Sequence, residues 1–321
     1  MMQYKILAIF SLLVSLVVTT PARGENPDHV AQLKETKICQ NCDLSEADLS
    51  GLDLRSARIQ GSNLIKANLS RTDLSRADLT AANFTLANLE GADLRFSLIN
   101  RTIFAKAILS NADLSNSDLR MAILTAAKLN NSNFRNANLA QADLSETDLS
   151  QSDLSRANLI EANLRKANLS NANLQNSRIN NANLSLTNLT QANFSGANLR
   201  YSSLIRAIML QTTLTNANLG GANLRETQIN TTDLQRAGLR RVNLREANIW
   251  DSDLRNADLA YADLRNANVF QSDLRNANLT AVELGTVIFC RSRLPNAYTS
   301  QGGRGASISD QGCGRRGELQ N

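Results

Sequence analysis

The feature that most constrains the fold of this chain is an apolar residue at every fifth position from Leu44 to Phe289, a run of 50 positions without a slip. Leucine fills 38 of them, and phenylalanine, isoleucine, Met209 and Val269 fill the others. Two residues before each apolar position, 46 of the 50 residues are Ala, Ser, Thr or Cys, and the residue between is usually Asp or Asn. The unit A-(D/N)-L-x-x therefore predicts one local structure repeated along the chain.

A period of five matches neither the 3.6-residue spacing of an α-helix nor the two-residue spacing of a free strand. The small residue and the Leu are two apart, so in extended backbone they point to the same side, and the other residues must then turn the chain. The small slot fits a narrow tube, because close packing leaves no room for a second Leu. The pattern predicts a solenoid whose coils bury their core against each other.

The motif, which covers residues 42–291, closely resembles that of the pentapeptide repeat family. This resemblance implies an all-β fold, a right-handed, four-sided parallel β-helix with four pentapeptides in each of about 12 coils. A strand spacing of ~4.8 Å would then give a rod about 60 Å long. Residues 20 apart should stack on one face of that rod.

The sequence predicts four segments: a signal peptide at 1–24, an N-terminal cap at 25–41, the solenoid at 42–291, and a C-terminal cap and flexible tail at 292–321. Lys5, the apolar run that follows and the small-x-small end of segment 1–24 are typical of a secretory signal. The run is too short to span a bilayer. We therefore expect export to the periplasm or the extracellular space, or to the thylakoid lumen in a photosynthetic source, without membrane insertion of the mature chain.

The N-terminal cap is expected to be a short amphipathic segment, Pro27 to Lys37, with Val30 and Leu33 facing the first coil. Bare solenoid ends expose apolar core and unpaired strand edges, which is why both ends should be capped.

Four cysteines lie at the two ends of the repeat: Cys39, Cys42, Cys290 and Cys313. An even number in an exported chain indicates disulfides, and three pairings are possible. The favoured pairing is Cys39–Cys42 with Cys290–Cys313, and the second pair resembles the tail of exported bacterial family members. A zinc-binding or redox role for these thiols remains an alternative.

The composition argues against catalysis, because the chain has one histidine, His29, in the expected cap. This excludes Ser-His-Asp and Cys-His catalysis and multi-histidine metal sites. We expect no enzyme and no cofactor. The formal charge of +5 falls to +3 without the signal, and the few scattered aromatic residues give no nucleic-acid surface. Some family members are acidic mimics of DNA that protect gyrase from quinolones. Because this chain carries a net positive charge, we do not expect that role for it.

One column of the expected rod is acidic and contains Asp53, Asp73, Asp93 and Asp113. Carboxylates ~5 Å apart repel each other by about 1 kcal/mol in water, and a calcium ion could relieve the repulsion. The alternative, which the sequence favours, is that arginines two residues later, such as Arg55, already neutralise the column.

Apolar residues interrupt the outward Asp/Asn slot or stand beside it in one part of the chain. They are Phe96, Leu98, Ile103, Ile108, Met121 and Ile123, with Ile208 five coils further on. Exposed apolar clusters on a polar rod suggest a docking surface for an unknown protein or for a second copy. Repeat decay, with the side chains tucked into a corner, is the alternative.

A second cluster is basic and contains Arg225, Arg245 and Arg265 at 20-residue spacing. Such a ladder could bind an anionic surface, although Glu226 and Glu246 partly neutralise it and a solvated face is the simpler interpretation. The sequence thus predicts a non-enzymatic exported scaffold or protein-interaction rod. The alternative is a module that binds an anionic surface or calcium through its arginine or aspartate ladders.

Overall fold

The computed structural model describes residues 24–296 as a parallel β-solenoid. Parallel bridges join residues that are 20 apart along the whole repeat, from Ile38↔Arg58 to Asp273↔Arg293. The predicted right-handed, four-sided parallel β-helix is thereby confirmed. A 20-residue coil over residues 38–293 gives about 13 coils, slightly more than the expected 12, because bridging begins before and ends after the apolar repeat.

The core is the inward pair of each unit. The Leu-slot side chains are buried throughout, and so are the small residues two positions earlier. Phe84 and Phe104 occupy Leu slots in adjacent coils and stack with their ring centroids 4.9 Å apart. Leu52 and Val282, which replace the small residue, are only partly buried and pack at the margin of the core. Val242 and Val287 occupy the same slot and are buried, so the tube accommodates an occasional valine beside the Leu slot, whereas Leu52 does not fit fully inside.

Each unit turns at a residue with positive φ, for example Glu46 at 62° and Asn111 at 61°. The amide of Ala47 donates to the carbonyl of Leu44 at 3.2 Å, which closes a type II turn with Glu46 at its third position. The outward Asp or Asn supports the turn: Asp43 Oδ1 accepts from the amide of Ser45 at 3.2 Å. This local bond is why the slot before the Leu is so often Asp or Asn.

The outward slots form four faces, which we number 1 to 4 after those that contain Asp43, Asp48, Asp53 and Arg58. On face 2, five consecutive coils form regular strands in place of single bridges. These are β1 (Ile208–Leu210), β2 (Gln228–Asn230), β3 (Asn248–Trp250), β4 (Asn268–Phe270) and β5 (Ile288–Cys290), paired in that order and all parallel.

A ladder of stacked hydroxyls accompanies this sheet at the corner between faces 2 and 3. The amide of Thr232 donates to Ser252 Oγ at 3.1 Å, the amide of Ser252 donates to Ser272 Oγ at 3.2 Å, and the amide of Ser272 donates to Ser292 Oγ at 3.1 Å. In these coils a side chain of the next coil replaces the turn carbonyl as the acceptor.

The N-terminal cap contains the helix α1 (Pro27–Thr36). Asn26 Oδ1 accepts from the amide of Asp28 at 3.0 Å, and Pro27 occupies the first helical position, where a missing amide costs nothing. Val30 and Leu33 are buried against the core. The helix thus covers the open end of the first coil.

Candidate functional site

The apolar residues predicted from the outward slots do not all meet. Ile103 and Ile123 are bridge partners on face 1. Leu98 lies on the adjoining face 4, one unit before Ile103. Met121 lies at the corner between faces 4 and 1. Leu98 and Met121 are each 46% exposed and Ile123 is 40% exposed. We call these four residues the apolar corner. Leu98, Met121 and Ile123 are exposed and Ile103 is half-buried, so none of the four belongs to the buried core.

The remaining candidates lie elsewhere on the rod. Phe96 is one corner away, between faces 3 and 4, with the guanidinium carbon of Arg76 5.5 Å from its ring centroid. Ile108 lies on face 2 and is half-buried. Ile208, at the start of β1, is on the same face as Ile108 but five coils away, about 24 Å along the rod. The seven residues therefore do not form one contiguous patch.

The aspartates of face 3 stack in register, as bridges join Asp53 to Asp73 and Asp73 to Asp93. Asp53 binds Arg55 Nη2 at 2.7 Å and Lys37 Nζ at 3.0 Å, and Arg55 Nε lies 3.7 Å from Asp73. Hydrogen bonds from Arg55 and Lys37 hold the pKa of Asp53 far below its ordinary value.

The same arrangement recurs two coils on, where Asp93 binds Arg95 at 2.6 Å. Across residues 24–296, no group of three or more His, Cys, Asp or Glu side chains is arranged to hold a metal ion. Arginine neutralises much of this column, and a calcium ladder stays an untested prediction.

The predicted basic ladder lies along one edge of face 1, and its three arginines differ in their partners. Arg225 binds Glu226 at 2.8 Å and lies 3.5 Å from Glu246, while Arg265 binds Asp263 at 2.6 Å. Arg245, between them, makes no ion pair within the described part of the chain, and its buried Nε has no hydrogen-bond partner. The ladder thus contains two arginines in ion pairs and one, Arg245, that forms none in that part of the chain.

The opposite edge of face 1 carries aromatic residues that sequence reasoning did not connect with this ladder. Arg200 lies over Tyr201, with its guanidinium carbon 5.1 Å from the ring centroid, and Arg240 lies over Tyr261 at 5.6 Å. The signal was present in the sequence, because Tyr201 and Tyr261 occupy the same column, three coils apart.

The cysteines at the N-terminal end form the favoured disulfide, Cys39–Cys42. Cys290 is also disulfide-bonded, and its predicted partner Cys313 lies outside the described residues. The Cys39–Cys42 bond excludes a thiolate zinc site at that position in the oxidised chain. The signal peptide predicted at 1–24 falls almost entirely outside the described residues as well.

The single histidine has a structural partner. His29 Nδ1 accepts from the amide of Asp43 at 3.0 Å, and the amide of Asn26 donates to the carbonyl of Asp43 at 3.3 Å. The first coil has no preceding coil to bond with Asp43, and the cap supplies that partner. His29 therefore joins the cap to the solenoid.

The geometry of residues 24–296 thus defines a class, a four-sided parallel β-solenoid with polar outer faces. No helix in that range is long and apolar enough to cross a membrane. The family model described as pentapeptide repeats matches eight segments, some of which overlap: 39–71, 58–95, 82–120, 122–156, 152–191, 192–229, 237–276 and 258–294. The chain belongs to the pentapeptide repeat family.

Several solved structures are similar to this chain. HetL, a pentapeptide repeat protein involved in heterocyst differentiation regulation from the cyanobacterium Nostoc, is 33% identical over 68% of this chain and 90% of its own, with a TM-score of 0.45. A pentapeptide repeat protein from the Arabidopsis thaliana thylakoid lumen is 36% identical over 33% of this chain and 70% of its own, with a TM-score of 0.26. QnrB1, a plasmid-mediated fluoroquinolone resistance protein, is 20% identical over 55% and 88%, with a TM-score of 0.25. No curated protein sequence matches the chain significantly.

Proposed function

We propose that this pentapeptide repeat protein is a non-enzymatic, exported rod that holds a partner protein at its apolar corner. The observation that carries the proposal is the exposure of Leu98, Met121 and Ile123, each at least 40% accessible on a rod whose outward slots are otherwise largely Asp and Asn. Clustered apolar groups of this kind on a polar surface are typical of protein contacts.

The polar surroundings of the corner support a protein partner. Arg101, Lys106 and Arg120 lie in the same two coils, and Arg120 is bound to Asp118 at 2.7 Å. An apolar centre with a charged rim is the usual composition of a protein interface. The solenoid itself supplies rigidity, since every coil is hydrogen-bonded to both of its neighbours.

The test is partner recovery from the exported fraction with the Leu98→Asn/Ile123→Asn double variant. Asn is a common residue of this slot, so the variant should fold as the wild type does. We expect the partner to be lost from cross-linked pull-downs with this variant and retained with Leu186→Asn, which removes a 39% exposed leucine about three coils from Ile123. Equal recovery with all three proteins would refute the apolar corner as the docking site.

Export and self-association are tested separately. N-terminal sequencing of the mature protein should begin near residue 25, and a full-length chain in the cytoplasmic fraction would contradict export. Native mass measurement on wild type and the double variant distinguishes a second copy from a different partner.

A further inference from the structure

We propose that face 1 between residues 200 and 266, with its two edges, is a binding site for an acidic polysaccharide. This surface, which we call the arginine face, extends over three coil spacings, about 14 Å along the rod. It is separate from the apolar corner, so the proposal does not depend on the proposed function.

The first argument is charge. The arginine face contains seven basic residues: Arg200, Arg206, Arg225, Arg240, Arg241, Arg245 and Arg265. It contains three acidic residues: Glu226, Glu246 and Asp263. In the eight preceding coils, the same columns hold six basic and five acidic residues. These columns thus carry a net charge of 7 − 3 = +4 over the four coils of the arginine face and 6 − 5 = +1 over the eight coils before it, within which Lys66, Arg101, Lys106 and Arg120 form a second, sparser basic stretch.

The second argument is that the acidic residues are already used. Glu226 binds Arg206 at 2.5 Å and Arg225 at 2.8 Å, and Asp263 binds Arg265 at 2.6 Å. Three arginines, namely Arg200, Arg241 and Arg245, make no ion pair with any residue of 24–296. The surface therefore offers guanidinium groups without an ion pair in that range on both edges of one face.

Arg245 adds a specific sign of a missing partner. Its Nε is buried and has no hydrogen-bond acceptor, although buried donors are almost always satisfied. The floor of the face also offers donors. Asn223 and Asn243 use their Oδ1 atoms to accept from the amides of Arg225 and Arg245, and their Nδ2 groups have no partner in the described range. The unsatisfied groups on this face are donors, so its ligand must be rich in oxygen acceptors and carry negative charge.

The tyrosines hold the arginines of the second edge in place. Arg200 donates from Nη2 to the hydroxyl of Tyr201 at 2.9 Å, and the Tyr201 ring lies against Gly221, where a Cβ would come within 2.6 Å of the ring. Arg240 and Arg241 lie 5.6 and 5.9 Å from the centroid of Tyr261. Cation–π contacts of this kind limit the freedom of the guanidinium groups before any ligand binds.

These contacts also select the class of polyanion. The face has two aromatic side chains, Tyr201 and Tyr261, each beside an arginine and about 14 Å apart, so it offers no continuous platform for the stacking of successive bases of single-stranded nucleic acid. The face carries a single aliphatic side chain, Ile205, and therefore has nothing to insert into a bilayer. A linear acidic polysaccharide laid along the rod would meet a guanidinium at each coil and hydroxyl-binding amides between the two edges.

The test uses the full chain and four immobilised probes: polygalacturonate, dextran sulfate, phosphatidylglycerol vesicles and single-stranded DNA, with neutral dextran as the blank. We expect binding to polygalacturonate or dextran sulfate, and the better of the two tells whether carboxylate or sulfate is preferred. Arg241→Gln and Arg245→Gln should each weaken binding about tenfold, the effect of one lost charged hydrogen bond. Neither substitution breaks an ion pair within residues 24–296.

Arg236→Gln is the matched control. Arg236 is exposed, makes no ion pair within residues 24–296, and lies at the corner between faces 3 and 4, away from the arginine face. We expect it to change affinity by less than about twofold, because distant exposed charges are screened. Equal losses in all three variants, absence of binding to both polysaccharides, or tighter binding to vesicles or DNA would each overturn the proposal.

Discussion

The hydroxyl ladder beside the face-2 sheet leads to a sharp prediction for Ser252→Ala. Ser252 Oγ accepts from the amide of Thr232 at 3.1 Å and donates to the carbonyl of Trp250 at 2.9 Å. Removal of the hydroxyl leaves the buried amide of Thr232 without its acceptor. An unsatisfied buried amide costs about 1–3 kcal/mol, which corresponds to roughly a tenfold to hundredfold change in a local opening equilibrium.

Ser152→Ala is the matched control, because Ser152 occupies the same column five coils earlier and is also buried. Its Oγ donates to the carbonyl of Leu149 at 2.6 Å, and its amide donates to the same carbonyl. The amide of Ser132 in the preceding coil bonds to the carbonyl of Leu129 and does not depend on Ser152. The control therefore removes one hydroxyl without orphaning an amide.

Amide hydrogen exchange is the appropriate assay, because coils of a solenoid contact only their neighbours and open locally. Protection of the Thr232 amide should fall about tenfold to hundredfold in Ser252→Ala. Protection of the Ser132 amide should stay near its wild-type value in Ser152→Ala.

A competing outcome is built into the repeat. With Ala at position 252, the amide of Thr232 could turn to the carbonyl of Ile229, as the amide of Ala47 does to Leu44. Unchanged protection of Thr232 would mean that the corner had reverted to this ordinary turn. The reasoning that the ladder holds the sheet in place would then be wrong.

Two further predictions concern the cap and the surface ion pairs. His29→Phe removes the acceptor for the Asp43 amide, and we expect faster exchange of that amide and a cap destabilised by about 1–3 kcal/mol in denaturant titrations; unchanged exchange would contradict this role. Hydrogen bonds from Arg120 lower the pKa of Asp118, so any stability from this pair is present above the ordinary aspartate pKa near 3.9 and is lost as the pH falls below it. Arg120→Gln should raise the Asp118 pKa in a carboxylate NMR titration, with little change in melting temperature because Arg120 is exposed; an unshifted titration would refute the pairing.

Sequence periodicity predicts the tube well because the inward positions obey one rule. The stacking of Ile103 on Ile123 follows from their 20-residue separation, and a bridge joins them in the structure. The face-2 sheet was not predictable in the same way. Ser132 and Ser152 place hydroxyls in the same column yet keep ordinary turns, whereas the run that continues from Thr232 to Ser292 forms a ladder. Whether a hydroxyl joins the ladder or keeps an ordinary turn depends on the residues of successive coils, and the sequence of a single unit does not show it.

The positions of the candidate site residues could be predicted from the sequence, but their ion pairs could not. The column of Arg225, Arg245 and Arg265 follows from spacing alone. That Arg245 alone of the three makes no ion pair within the described residues depends on how Glu226 and Glu246 orient, since both turn toward Arg225. Side-chain orientation of this kind is set by competition among neighbours on three coils, and no sequence period encodes it.

The apolar corner has a cost that favours a functional origin over simple decay. An outward Asp accepts from the amide two residues later, as Asp113 Oδ1 does from Ser115 at 2.9 Å, and a leucine or isoleucine cannot. Each such replacement gives up a hydrogen bond worth about 0.5–1.5 kcal/mol. Burial of Leu98 and Ile123 offsets little of this lost free energy, because each side chain is at least 40% exposed. Residues that break the local rule without a compensating internal contact are expected where a surface serves something outside the chain.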